Sequence, residues 1–103
     1  MEGIHKIMTH LWFDKEAGAA GEFYLKVFKN SRLLSRRTIP GTPSGDVDSL
    51  SLEVENLNLM LLSAGPYFKI NPSISFMISC SSKEEVKYYF DSFIVGGEAM
   101  MPL

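Results

Sequence analysis

The chain has 103 residues, 46% hydrophobic and 12% aromatic, with a net charge of −2 and a pI near 5.6. That length holds one domain with one modest core, and the balance of charge offers no basic stripe to grip nucleic acid. The lone Cys80 excludes an internal disulfide and fits a reducing cytoplasm, no run reaches the ~18 apolar residues of a membrane span, and MEGIHKIMTH lacks an apolar signal core. The expectation is a cytoplasmic protein with neither a nucleic-acid nor a membrane partner.

In chain order, residues 4 to 13 alternate as a strand, with Met8, His10 and Trp12 on one face and Ile7, Thr9, Leu11 and Phe13 on the other. Asp14 is positioned to cap a helix whose apolar stripe is Ala20, Phe23, Tyr24, Val27 and Phe28. Gly18 and Gly21 fall inside that helix, each at a cost of ~1 kcal/mol relative to alanine, so packing has to hold it. Asn30 is read as its left-handed terminator. Leu33 to Ile39 is the next strand, and residues 40 to 45 (PGTPSG) read as a loop. Leu50, Leu52 and Val54 alternate with Ser49, Ser51, Glu53 and Glu55 as a half-buried strand. A tight turn at Glu55-Asn56 joins it to Leu57–Ser63, which reads as buried on both sides, and the two make a hairpin.

Beyond a loop that runs to Pro72, Ile74 to Cys80 again reads as a strand. Ser82 and Glu85 have the spacing of a capping box for a helix whose face is Val86, Tyr89, Phe90 and Phe93. Gly96-Gly97 stops it. Phe23-Tyr24-x-x-Val27-Phe28 thus recurs as Tyr89-Phe90-x-x-Phe93-Ile94, about 66 residues on. The order suggests a βαβββ module over 1–66 and a second, incomplete module over 73–103 that stops after its strand and helix. The fold class is α+β with a mixed, curved sheet.

Three stretches carry a family resemblance: HLWFDKEAGAAGEFYLKVFKNSRL, then LMLLSAGPYFKINPSISFMISCSSKEEVKYYF, then GGEAMMPL. They resemble the PhnB-like proteins, also called the 3-demethylubiquinone-9 3-methyltransferase-like domain, of the glyoxalase/bleomycin-resistance (vicinal oxygen chelate) superfamily. The resemblance implies paired βαβββ modules that curl a sheet around a cleft and assemble as homodimers. Tyr67 stands where the family usually has His, and the family's three further strands after residues 101 to 103 are not in this sequence.

The resemblance implies a metal site in the superfamily's metal-dependent members, built from convergent His and Glu ligands. Here those positions align near Met8, Leu62 and Ser73 to Ser75, none of which ligates well. His10 with Glu53 would be only half a ligand set. The expectation is therefore no metal and no cofactor. A methyl donor such as S-adenosylmethionine needs a cofactor site, commonly a glycine-rich turn between strand and helix, and Gly65-Pro66 and Gly96-Gly97 are a loop and a helix stop. Cys80 stands before a helix amino terminus, which could lower its pKa, although the apolar run before it favours a structural cysteine.

The candidate ligand-binding residues are Met8, His10, Trp12, Tyr67 and Lys69, with no catalytic residue assigned. Two readings stand for His10 and Trp12: a polar contact and a stacking wall for a ligand, or a hydrogen-bonded histidine and a core tryptophan. Tyr67 and Lys69 lie on a loop, where binding residues concentrate; Tyr67 is equally readable as a packed lid and Lys69 as solvated. Three functions follow: a metal-free small-molecule binder, a superfamily enzyme (lyase, isomerase, dioxygenase or methyl-transfer related), or a dimeric structural remnant. A second module short of strands leaves sheet edges open to another chain, which predicts a homodimer.

Overall fold

The computed structural model describes residues 6–43 and 45–99. Strand β1 (Thr9–Phe13) leads into helix α1 (Ala17–Val27), followed by β2 (Ser31–Thr42), β3 (Gly45–Val54), β4 (Leu57–Ser63) and helix α2 (Lys83–Ile94). The four strands form one sheet in the order β1-β4-β3-β2, with β1 parallel to β4 and both other pairs antiparallel. A parallel pair needs a crossover, and α1 begins it. Leu50, Leu52 and Val54 of β3 and Leu59 and Leu61 of β4 bury one face of the sheet under Ala17, Val27 and Phe28. Leu11 and Phe13 of β1 pack against the same cluster. The alternation seen in the sequence thus becomes two faces, one helical and one open.

Gly21 explains why α1 tolerates glycine. A Cβ there would stand 2.9 Å from Leu50 Cδ2, 3.5 Å from Leu61 Cδ1 and 3.7 Å from Leu52 Cδ1. The helix backbone therefore sits directly on three side chains that are 2%, 0% and 0% exposed. The start of α1 differs from expectation. Asp14 does not cap it; Glu16 is the N-cap residue and makes no capping bond from its side chain. The Ser63 hydroxyl, at the end of β4, accepts the Ala17 N–H at 2.9 Å instead. Asn30 is not left-handed either, because α1 already ends at Phe28 in extended backbone, and Glu55 is the one described non-glycine residue with positive φ.

Two further expectations are corrected. The predicted loop 40–45 is mostly strand: β2 runs through Pro40 and Gly41 to Thr42, and its edge position lets proline occur without breaking a ladder. Ile74–Cys80 does not join the sheet. Residues 75–80 form neither helix nor paired strand, because no described strand lies beside them to complete a ladder. α2 begins as expected, with Ser82 Oγ accepting from Glu85 N–H at 3.1 Å. Glu85 does not reciprocate; its Oε2 accepts from Ser81 Oγ at 3.2 Å. Val86 is exposed, and the packed side of α2 is Tyr89 and Phe93. The recurring aromatic motifs meet one another: Phe23 lies 5.3 Å from Phe93, and Phe28 stacks on Tyr89 at 5.2 Å.

Candidate functional site

Strand register assembles the open face. Residues at alternate positions share a face, so those opposite the core leucines line up in rows across the sheet. One row runs Trp12, Leu62, Ser49, Arg37; a second runs His10, Met60, Ser51, Ser35. A third joins Asn58, Glu53 and Arg32; Met8 stands one residue before β1, ahead of the first register pair Thr9–Leu59. Arg32 pairs with Glu53 at 3.3 Å. Asn58 is 4% exposed, and its Oδ1 has no hydrogen-bond donor among the described residues.

The loop after β4 is clasped to the end of β1. Ala64 N–H donates to Phe13 O and Gly65 N–H to Asp14 O, both at 3.0 Å. The Trp12 indole N–H donates to Gly65 O at 2.8 Å, and the Phe68 ring meets Trp12 edge-on at 5.1 Å. Gly65 has φ +94, which an L side chain rarely adopts, and the Tyr67 ring lies 3.2 Å from where a Cβ would stand. Trp12 is therefore a half-buried wall whose polar end already has a partner. His10 is exposed, Met8 half-buried, and Tyr67 and Lys69 are exposed on the loop.

The structure brings His10 and Trp12 to one face, with Met8 one residue ahead of the strand, and ties the loop to Trp12 through Gly65 and Phe68 rather than through Tyr67 or Lys69. Sequence reasoning missed Phe68 and Asn58. The signal for Asn58 was a single amide inside the apolar run Leu57–Ser63.

The metal positions do not fit. Among the described residues no three His, Cys, Asp or Glu side chains gather closely enough to hold an ion. His10 has Met60 as its neighbour across β4, then Ser51, with Glu53 in a different row and paired with Arg32. The turn from β1 to α1 is Asp14-Lys15-Glu16, without the glycine that lets a dinucleotide approach the backbone. Cys80 is not activated. Burial first, then the Glu85 carboxylate, push its thiol pKa up rather than down.

A separate hollow of about 540 Å³ lies on the helical side, between α1, α2, the β3–β4 turn and residues 76–79. Burial raises the Tyr24 phenol above its ordinary value there; Tyr89 is raised by burial and then by Glu55 and Glu85.

A four-stranded mixed sheet with helices on one face and a polar open face defines a small α+β protein of the curved-sheet type. Residues 5–102 match the family model of 3-demethylubiquinone-9 3-methyltransferase, and the chain belongs to this PhnB-like family. A solved structure of a PhnB protein from Bacillus cereus, which carries the same methyltransferase name, superposes with a TM-score of 0.83 at 23% identity. The match covers 96% of this chain and 81% of that one. No curated protein matches. Among the described residues no helix is long and apolar enough to cross a membrane.

Proposed function

We propose that the chain binds a small molecule on the open face of its sheet, without a metal. The observation that carries this reading is the composition of that face. No described helix covers it, yet it presents His10 beside the Trp12–Phe68 wall at one edge, Ser51 on β3 and Arg37 at the far edge, and it holds the buried Asn58 oxygen, which has no donor among the described residues. A merely solvated face has no need of a large aromatic wall, and a merely structural one has no need of the buried amide.

A thermal-shift screen with small aromatic and dicarbonyl compounds tests the reading, because a ligand that binds only the folded chain stabilises it, by about 2.7 kcal/mol at a hundred times Kd. Hits should lose their shift in His10→Ala and Trp12→Phe. Hits unaffected by both, or stoichiometric metal bound per chain, would overturn the reading.

A second reading, self-association, rests on its own observation. Among the described residues, 75–80 have no strand partner, Met77 is 93% exposed, and the radius of gyration of 14.8 Å exceeds the ~13 Å of a compact chain this long. We read this segment as pairing with a second copy of the chain in a homodimer. A single monomeric species in sedimentation at micromolar concentration would refute it.

A further inference from the structure

The hollow on the helical side owes nothing to the open-face reading. Its floor is Val54, Leu57 and Leu59, and its walls are rings: Tyr24 and Phe28 from α1, Tyr89 and Phe93 from α2. Its volume of about 540 Å³ falls within the usual range of small-molecule sites. Two charged residues, Glu55 and Glu85, line it, and both are acidic.

The fold holds each carboxylate in place. Glu55 sits at the β3–β4 turn with φ 54, and its Oε2 accepts from Asn30 Nδ2 at 3.3 Å. Glu85, in the first turn of α2, is held by Ser81. Both act on the same ring, since each helps raise the Tyr89 phenol.

We propose that this hollow is a binding site for a small organic cation, an amine or quaternary ammonium with an aromatic or branched apolar body. The chemistry selects that class in two ways. Ring faces carry negative potential and attract a cation, more strongly where water is thin, and two carboxylates with no lysine or arginine in the lining favour positive charge and disfavour negative. The apolar floor and walls then take the body of the ligand. An anion of the same shape would meet both carboxylates, and a neutral analogue would gain only the apolar contacts.

Isothermal titration calorimetry of the full chain with benzyltrimethylammonium, benzyl alcohol and 3-phenylpropionate tests this. The cation should bind saturably at one site and at least roughly tenfold more tightly than the anion, with the preference shrinking in high salt. The double variant E55Q/E85Q should bring the cation down to the level of the neutral alcohol, while His10→Ala leaves its affinity unchanged. Equal affinity for cation and anion, cation affinity that survives E55Q/E85Q, or no saturable binding at millimolar ligand would overturn the proposal. Chemical-shift mapping on the unsubstituted protein guards against a misfolded variant. Shifts centred on Tyr24, Phe28, Tyr89 and Phe93 support the site, and shifts centred on Trp12 refute it. Because His10→Ala and Trp12→Phe report on the other face, this proposal and the open-face reading can fail separately.

Discussion

Replacing Gly21 and Gly18 by alanine, one at a time, tests how α1 is seated on the sheet. On helix propensity alone each change stabilises by up to ~1 kcal/mol. Packing separates them. At Gly21 the new Cβ would lie 2.9 Å from Leu50 Cδ2, closer than carbon atoms pack, with Leu61 and Leu52 just behind. All three leucines are fully buried, so none can swing aside, and overpacking a filled core costs ~1–3 kcal/mol. Gly21→Ala therefore nets between no change and about 2 kcal/mol of destabilisation. At Gly18 the close atom is Arg36 Nη2, at 2.7 Å. That atom ends an exposed side chain whose surface ion pair with Asp48, at 2.8 Å, is weakened by solvent; it can move aside at little cost, so most of the helix gain survives. The two variants should differ by about 1–3 kcal/mol in urea unfolding followed by circular dichroism, and by at least several degrees in Tm. If Gly21→Ala proves as stable as Gly18→Ala, the helix does not rest on the leucines as described.

Ser63→Ala removes the acceptor of the Ala17 N–H and should cost ~1 kcal/mol, read as faster hydrogen exchange in the first turn of α1. Trp12→Phe deletes the 2.8 Å bond to Gly65 O, worth ~1 kcal/mol, and should speed exchange at Ala64 and Gly65; unchanged protection there would contradict the clasp. Tyr24 carries a pH signature. Its folded pKa lies above 10.0 because burial disfavours the phenolate, so its contribution is complete below pH 10 and is lost as pH rises through the folded value. The urea midpoint should fall less steeply above pH 10 in Tyr24→Phe than in the parent, with Tyr89 leaving a residual slope. Asn58→Leu, which removes the unpartnered Oδ1 and keeps the same branching in a larger side chain, should raise stability by up to ~1–3 kcal/mol less the cost of the added volume while reducing the thermal shift of open-face ligands.

The sheet, both helices and the hairpin were legible because each rests on local signals: alternation in Leu50, Leu52 and Val54, helical spacing from Phe23 to Phe28, and the Ser82 cap. What the sequence hid was long-range. Ser63 caps α1 from across the chain, so Asp14 was the natural local choice and the wrong one. β2 continues through Pro40 because it lies at the edge of the sheet, a position no local pattern encodes. Ile74–Cys80 has the composition of a strand, but a strand exists only where a partner lies beside it. Of the candidate site, Met8, His10 and Trp12 could be placed on one face by alternation alone. The ring cluster of Phe28, Tyr89 and Phe93 could not, because it depends on how two helices distant in sequence come together.

The two faces of the sheet follow different physical rules. On the helical face, close packing leaves Leu52 and Leu61 with no exposed area, and the space that remains gathers where α1 and α2 diverge, edged by carboxylates. On the open face, four strands present polar side chains where leucine or valine would have made a tighter core. A buried amide oxygen without a donor costs ~1–3 kcal/mol, a sizeable share of the total stability of a domain this small. Asn58 carries that cost here. It lies on the face of His10 and Trp12, one row from His10 and two from Trp12, and its oxygen is the one buried side-chain acceptor that the described residues leave without a donor.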